Sequence, residues 1–322
     1  MSQDTTLEVR IARKQAEAQD ICSLELLPLD GQSLPAFGAG AHIDVHLPGG
    51  LVRQYSLSND CAESDRYVIA VLREPASRGG SAAVHEQLQA GQQITISAPR
   101  NHFALHSQAQ KHLLLAGGIG ITPILAMARQ LAREGADFEL HYSARARERM
   151  AFAAAIESAT WAGRARLHVD DAGGKPQLDL VALLAQVSPE THLYVCGPKG
   201  FMDAVLATAK AAGWPQEQLH YEFFAGEVER RDDDASFEVE VASTGQVVRV
   251  KPEQTVVQAL ESIGVCVQTS CEQGVCGTCL TRVLAGEPDH RDMYLTEEEQ
   301  AAGDQFMPCC SRARSARLVL EL

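Results

Sequence analysis

The sequence predicts a multidomain protein of the β and α/β classes: an antiparallel β-barrel, a doubly wound parallel α/β domain and a small mixed sheet. Three observations carry this prediction. Short period-two segments fill the first third of the chain, apolar strands alternate with helical patterns in the middle, and a hairpin with a cysteine-rich loop closes it. The chain has 322 residues, which suits two or three domains of about 100–200 residues each.

The first block, residues 1–107, reads as the barrel. Its segments LEVRIARK, AHIDVHL, RYVIAVLRE and QQITISAP alternate apolar and polar residues and are separated by Gly and Pro. Alternation with a period of two turns one face of each strand inward. Many short strands of this kind predict an antiparallel barrel.

The second block, residues 108–226, alternates strands such as HLLLAGG, DFELHYSA, ARLHVDD and HLYVCGP with the helical patterns ILAMARQLARE and FMDAVLATAKAAG. This order predicts a parallel sheet with helices on both faces, a nucleotide-binding architecture. A charged stretch that includes residues 227–236 follows, and we expect it to be a solvated linker.

The third block, residues 237–322, opens with the hairpin pattern SFEVEVASTGQVVRVKP and a short helix. Thr255 is a plausible N-cap of this helix and Gly264 a plausible residue just beyond its end. The strands CLTRVLAG and ARLVLEL complete a small mixed sheet around one helix.

Four cysteines carry the strongest chemical signal in the chain. Cys271, Cys276 and Cys279 lie in CEQGVCGTC, and the fourth cysteine of the set follows about thirty residues later in FMPCCS. This is the C-x4-C-x2-C…C spacing of a plant-type 2Fe–2S cluster. Structural zinc usually takes two C-x2-C knuckles, and only one such pair is present. A disulfide framework is the third alternative, disfavoured because no secretory signal is evident.

The chain is acidic, with a formal net charge of −14. Nucleic acid and anionic membranes attract basic patches, so neither is an expected partner. Residues 230–322 contain 9 basic and 16 acidic residues, a net charge of −7. This charge is either simply a soluble surface or an acidic face that steers a basic redox partner. With no membrane-spanning run and no signal peptide, the expected location is the cytoplasm.

RQYSLSN, residues 53–59, offers what a flavin needs. Arg53 supplies a cation for a phosphate and Tyr55 a flat aromatic ring, whereas Gln54 and Ser56 point to the other face of the strand. A surface strand with a packed tyrosine is the alternative. Downstream, SRGGS opens a helical stretch, and glycines at a helix N-terminus form an anion site. The alternative there is a plain glycine-rich turn.

A second glycine-rich turn, in LLLAGGIGITPILAMARQL, joins a buried strand to a helix. Thr122 and Pro123 fit its N-cap and first position, so the helix N-terminus would face a pyrophosphate. VCGPKGFMDAV follows at the end of a later strand and contains Cys196, which is alternatively a buried small thiol. Arg145, Arg147 and Arg149 either bind a 2′-phosphate or line a solvated turn. No acid for a ribose 2′-hydroxyl is evident.

In their order, these motifs resemble the phthalate dioxygenase reductase family over nearly the whole chain, with the third block similar to the β-grasp of plant-type ferredoxins. The resemblance implies FMN rather than FAD, NADH, a 2Fe–2S cluster and a separate Rieske non-haem iron oxygenase as electron acceptor, serving aromatic compound degradation. It makes Cys309 rather than Cys310 the fourth ligand and places Phe224, or failing that Phe223, on the isoalloxazine. The implied FMN contacts are Arg53, Gln54, Tyr55, Ser56, Ala70, Val71, Gly79, Gly80, Ser81 and Phe224. The implied NAD contacts are Gly118, Gly120, Thr122, Arg145, Cys196, Gly197 and Pro198.

The resemblance also implies a reaction. NADH would pass a hydride to N5 of FMN, beside Ser56, with Cys196 beside the nicotinamide C4, and electrons would leave one at a time through the cluster. The cofactors carry this chemistry and the protein positions them. The alternatives are a general NAD(P)H diaphorase and a redox-sensing iron–sulfur flavoprotein.

Overall fold

A computed structural model of the chain describes residues 6–29, 33–75, 79–170, 178–185, 188–224, 231, 233–269, 272, 274–275 and 277–322. The chain divides into two compact units, Met1–Phe224 and Ala225–Leu322. Each unit has hydrophobic cores of its own.

The first unit begins with an antiparallel sheet. Its six strands are β1 (Thr6–Ala18), β2 (Ile21–Pro28), β3 (His42–Leu47), β4 (Leu51–Ser56), β5 (Tyr67–Leu72) and β6 (Gln93–Ser97), in the order β4-β3-β6-β1-β2-β5. An antiparallel bridge from Leu57 to Ile69 joins the two edges, so the sheet closes into the predicted barrel. Its interior is filled by alternate residues, among them Ile11 and Leu24. Helix α1 (Gly80–Gln87) connects β5 to β6.

A parallel sheet forms the rest of this unit. Its strands are β7 (Lys111–Gly117), β8 (Asp137–Ala144), β9 (Ala165–Val169), β10 (Thr191–Cys196) and β11 (Leu219–Glu222), in the order β11-β10-β7-β8-β9. Its helices are α2 (Ile121–Glu134), α3 (Ala153–Glu157), α4 (Leu180–Leu184) and α5 (Lys199–Ala211). Helix α2 packs on one face and α4 and α5 on the other, as predicted. The chain changes direction across the sheet between β7 and β10, where ligands bind in such folds.

The second unit is a small mixed sheet with one helix packed on it. Strands β12 (Phe237–Val241), β13 (Val247–Val250), β14 (Thr281–Ala285), β16 (Gln305–Phe306) and β18 (Arg317–Leu320) lie in the order β13-β12-β18-β14-β16, while β15 (Pro288–Asp289) pairs with β17 (Arg312–Ala313). Strand β12 runs antiparallel to β13 and parallel to β18. Helices α6 (Val256–Glu261) and α7 (Glu297–Ala302) complete the unit, and α6 belongs to its core.

Two predicted helix boundaries differ from the structure. Helix α2 begins at Ile121 with Gly120 as N-cap, because a 3-10 turn over Gly118–Gly120 leads directly into it. The prediction that Thr122 is the N-cap is therefore wrong; its hydroxyl donates to the Ile119 carbonyl, 3.1 Å away, inside the first turn. Helix α6 has Thr255 as N-cap, as predicted, but ends at Glu261.

The expectation of a solvated linker is wrong at Asp234, whose side chain is only 6% exposed. Arg291 donates to it from Nη1 at 2.9 Å, and Arg312 lies within ion-pair distance. Hydrogen bonds from Arg291 lower the pKa of Asp234. Two buried guanidinium groups need a nearby carboxylate, so this end of the charged stretch is held on the second unit.

Candidate flavin, nicotinamide and cluster sites

The structure brings Arg53 of β4 onto the first residue of α1. A Cβ placed on Gly80 would lie 2.7 Å from Cγ and 2.9 Å from Nε of Arg53. Gly79, the N-cap, has a φ of +90° that favours glycine. The Ser81 hydroxyl accepts from the Glu74 backbone N–H at 3.1 Å. These four predicted residues thus lie together at the N-terminus of α1, and backbone N–H groups at a helix N-terminus favour an anion.

Tyr55 and Ser56 point to opposite sides of β4, as the alternation predicts. Tyr55 packs against the barrel core, and burial raises the pKa of its phenol. Gln54 is partly buried on the same strand, paired with Asp44 of β3. Neither the Tyr55 phenol nor the Gln54 amide carries a charge at neutral pH.

The side chains of Ala70 and Val71, the two predicted flavin contacts on β5, point in opposite directions. Ala70 is buried against the core that α2 forms with the parallel sheet, whereas Val71 lies in the barrel core. The Val71 side chain therefore packs inside the barrel. Ala70 is the one of the two whose side chain faces the parallel sheet.

Ser56 meets a residue that the sequence analysis did not single out. Its hydroxyl donates to Oε2 of Glu222 at 3.4 Å, and Glu222 is the last residue of β11. Burial raises the Glu222 pKa from an ordinary 4.5 to about 8. Nδ1 of His42 lies 3.9 Å from Oε1, and burial, followed by the Arg100 charge, lowers the His42 pKa to about 4. A protonated carboxyl and a neutral imidazole therefore lie behind Ser56 at neutral pH.

The two candidate phenylalanines after β11 face different cores. Phe224 packs against the cluster that contains Ala70 of the barrel, whereas Phe223 packs against the cluster of α4 and α5. Of the two, only Phe224 is therefore on the side where the barrel strands meet the parallel sheet.

The glycine-rich turn after β7 is seated directly on the end of β10. A Cβ on Gly120 would collide with the carbonyl of Cys196. A Cβ on Gly197 would lie 2.9 Å from the Phe201 ring and 3.0 Å from Cα of Gly117. The two strand ends approach this closely only because glycines occupy these positions.

Cys196 is fully buried at the end of β10, where it pairs in register with Glu222. Burial, followed by the Glu222 charge, raises the pKa of its thiol well above the ordinary value. Cys196 is thus a neutral thiol rather than a nucleophile. Gly197 and Pro198 follow it, with Pro198 as the N-cap of α5. The predicted residues Ser56 and Cys196 come together on either side of Glu222.

The three arginines after β8 are not equivalent. Arg147 donates to Glu157, and Arg149 lies 3.5 Å from Asp20. Arg145 is exposed and has no carboxylate partner among the described residues. Among the described residues, Arg147 and Arg149 therefore have acidic partners at this strand end and Arg145 has none.

Two of the four predicted cluster ligands are described, and both are buried. Cys279 and Cys309 lie in one apolar group with Cys310 and Met307, while Cys271 and Cys276 lie outside the described residues. Sγ of Cys310 is 3.7 Å from the Met307 carbonyl and from the Ser311 hydroxyl.

The loop that carries the first three cysteines has two glycines at positive φ, Gly274 at +72° and Gly277 at +74°. A Cβ on Gly274 would collide with Sγ of Cys310, and one on Gly277 with the Tyr294 ring. A loop without side chains at these points, next to buried thiols, fits an iron–sulfur cluster, which is held by thiolates at short range.

The fold and these sites define an oxidoreductase with a flavin- and nicotinamide-binding unit and an iron–sulfur unit. The family described as 2Fe-2S iron-sulfur cluster binding domain matches residues 239–314. The family described as Dimethylamine monooxygenase subunit DmmA-like, N-terminal domain, matches residues 92–219. Among the described residues, no helix has the length and apolar character needed to cross a membrane.

Relatives match the chain along its whole length. Vanillate O-demethylase oxidoreductase from Pseudomonas sp. is 54% identical, covering 98% of this chain and 100% of the relative. Phthalate dioxygenase reductase from Burkholderia cepacia is 39% identical, covering 99% and 98%. A solved structure of phthalate dioxygenase reductase, described as modular for electron transfer from pyridine nucleotides to 2Fe-2S, has a TM-score of 0.80 at 39% identity and covers 99% of this chain and 98% of that chain. The chain belongs to the phthalate dioxygenase reductase family, whose members are reductase components of oxygenase systems.

Proposed function

We propose that this protein takes electrons from NADH through FMN and a 2Fe–2S cluster to a separate Rieske non-haem iron oxygenase. The observation that carries the proposal is the meeting of Ser56, Glu222 and Cys196 where the barrel joins the carboxyl ends of β10 and β11. Bound flavin and cluster would supply hydride acceptance and single-electron transfer. The protein would orient the two rings and keep water away from them.

FMN rather than FAD is supported by the cradle of Arg53, Gly79, Gly80 and Ser81. Arg53 crosses the start of α1 within contact distance of Gly80, an arrangement suited to the doubly charged terminal phosphate of a mononucleotide. We place the isoalloxazine between Tyr55 and Phe224 with Ser56 near N5. Mass spectrometry of the flavin released by heating separates FMN from FAD.

NADH rather than NADPH is supported by the ion pairs after β8. Arg147 and Arg149 already have carboxylate partners, so a 2′-phosphate would have to compete for two of the three arginines. We place the pyrophosphate at the turn Gly118–Gly120 and the nicotinamide beside Cys196. The ratio of kcat/KM for NADH and NADPH tests this, and a ratio below one would contradict it.

For the cluster we propose Cys271, Cys276, Cys279 and Cys309 as ligands. We prefer Cys309 to Cys310 because FMPCCSRA resembles the family's ending, in which one Cys is followed by a non-ligand and then Ser-Arg-Ala. The partner and its aromatic substrate are supported by the names of the relatives, vanillate O-demethylase oxidoreductase and phthalate dioxygenase reductase. We propose the cytoplasm as the location, since NADH is supplied there.

The variant Cys276→Ala tests the whole route. We expect its flavin to be reduced by NADH as in the unchanged protein, while electron delivery to the oxygenase is lost. Cys266→Ala removes an exposed cysteine and serves as the matched control. The unchanged protein should show flavin bands and a broad visible cluster band that NADH bleaches. Oxygenase turnover that survives Cys276→Ala would overturn the route through the cluster.

A further inference from the structure

Asp292 belongs to the segment AGEPDHRD, and its side chain is completely enclosed, with 0% exposed. Its Oδ2 accepts from the backbone N–H groups of Leu295 at 2.8 Å and Tyr294 at 3.3 Å. Its Oδ1 accepts from the Ser311 hydroxyl at 3.3 Å, and Nδ1 of His290 lies 3.5 Å away. A carboxylate is tolerated in the interior only where hydrogen bonds replace water. The surroundings of Asp292 are therefore built for an acidic side chain.

The turn that this carboxylate shapes lies on the loop of the first three cysteines. Met293 N–H donates to the Gly274 carbonyl at 3.0 Å. A Cβ on Gly274 would come within 3.0 Å of Cα of Asp292, and one on Gly277 would collide with the Tyr294 ring. Both glycines of the loop are thus in contact with residues 292–294.

The same carboxylate is also bonded to the segment of the fourth ligand. Ser311 follows Cys309 by two residues, and its hydroxyl accepts from Arg291 N–H at 3.1 Å while it donates to Asp292. Cys309, Cys310 and Ser311 are all buried. One side chain therefore links two parts of the chain that must approach each other to bind one cluster.

We propose that Asp292 is a positioning residue for the cluster: its carboxylate holds Gly274 and Gly277 of the cysteine loop against the segment that carries Cys309. A thiolate site that is already arranged loses less conformational entropy when the cluster binds, and hydrogen bonds around the sulfurs tune its potential. The inference rests on the proposed ligand set. It goes beyond that set because it assigns a function to a side chain that is not itself a ligand.

The experiment compares Asp292→Ala, Asp292→Asn and Ser311→Ala in the full-length holoprotein. Asp304→Ala, which removes an exposed carboxylate of the same unit, is the matched control. The measurements are iron and sulfide per chain, the half-life of the visible band under a chelator, the electron paramagnetic resonance spectrum after reduction, and the midpoint potential. Flavin reduction by NADH reports on the first unit independently.

For Asp292→Ala we expect cluster release at least about tenfold faster, because three hydrogen bonds to a buried group are lost. Asn keeps an oxygen for the two backbone donors but no charge, so Asp292→Asn should retain iron and give an altered resonance spectrum with a more positive potential. Ser311→Ala should speed release less than Asp292→Ala does. The control should match the unchanged protein.

If Asp292→Ala does not fold, Asp292→Asn decides, since its side chain has the same shape. An unaltered resonance spectrum and potential in Asp292→Asn would overturn the proposal, as would unaltered release in a folded Asp292→Ala. Failure of the proposed function would appear differently, as a missing cluster signal in the unchanged protein.

Discussion

Ser56 and Cys196 are small side chains, and the residue between them determines the electrostatics of the site. Glu222 is partly buried, with 18% of its side chain exposed, and Ser56 donates the hydrogen bond that its Oε2 receives. Its raised pKa of about 8 means that it holds a proton at pH 7. If the flavin binds at Ser56 as proposed, a neutral acid here avoids placing a negative charge beside a ring that accepts a hydride.

Glu222→Gln should remove a pH dependence from the stability of the first unit. The folded-state pKa is raised from 4.5 to about 8, so the stability of the unchanged protein is fully present below about pH 4.5 and declines as pH rises to about 8. The full decline should be roughly 5 kcal/mol, because the pKa rises from 4.5 to about 8 and each pKa unit corresponds to about 1.4 kcal/mol. Unfolding followed by flavin fluorescence from pH 5 to 8.5 measures it.

Gln keeps the shape of Glu222 and does not ionise, so the difference between the two pH curves isolates this carboxyl. Glu134→Gln, an exposed carboxylate at the end of α2, is the control and should leave the curve unchanged. Parallel curves for the unchanged protein and Glu222→Gln would show that Glu222 is ionised throughout.

The residues of the proposed cofactor sites could be singled out in the sequence, whereas the buried acid that contacts Ser56 could not. Arg53 and Cys196 lie in motifs whose spacing indicates their chemistry. Glu222 lies in YEFF, where nothing local distinguishes a buried acid from an exposed one. Its hydrogen-bond partner Ser56 is 166 positions away in the chain, and local patterns contain no information on such a pairing.

At the scale of elements, the stability of α6 depends on its N-terminal cap. Thr255 Oγ1 accepts from Gln258 N–H at 3.2 Å, and Gln258 Oε1 accepts from Thr255 N–H at 3.1 Å. The helix has six residues, too few to be stable in isolation. Its position depends on the cap and on the buried face of Val256, Ala259 and Leu260.

Thr255→Ala should therefore lower the stability of the second unit by about 1 kcal/mol, the usual cost of losing such a cap. Urea unfolding followed by the visible band of the cluster measures the change. Thr255→Ser keeps the hydroxyl and should restore most of the loss. If the serine and alanine variants are equally destabilised, the methyl group of Thr255 rather than its hydroxyl is responsible.

The strands and helices were largely predictable from the sequence, whereas the pairing between strands was less predictable. The hairpin of β12 and β13 follows from alternation around a turn, and the strands of the parallel sheet follow from apolar runs between helical patterns. The parallel pairing of β12 with β18 joins residues such as Val239 and Leu318. Because these residues are far apart in the sequence, local patterns do not predict the pairing. Asp234 was expected in solvent for the same reason, since the guanidinium groups that bury it are distant in sequence.

At the scale of the whole molecule, the distribution of charge bears on partner binding. Residues 230–322 carry −7 of the net −14, and the first turn of α7 alone has Glu297, Glu298 and Glu299 exposed. Glu299 forms a capping box with Thr296, whereas Glu297 and Glu298 are not part of that capping box. An acidic surface of this kind speeds encounter with a basic partner.

The double variant Glu297→Lys/Glu298→Lys should raise the KM for the oxygenase by roughly three- to tenfold at low salt. The difference should vanish at about 0.5 M salt, because the Debye length falls from about 10 Å at 0.1 M towards 3 Å at 1 M. Steady-state turnover against salt concentration measures this, with flavin reduction by NADH as the internal reference. Glu134→Lys/Glu190→Lys makes the same charge change on exposed residues of the first unit and should leave the KM within about twofold, since long-range charge is screened. Equal salt curves for the two double variants would mean that net charge, and not a surface near α7, governs the encounter.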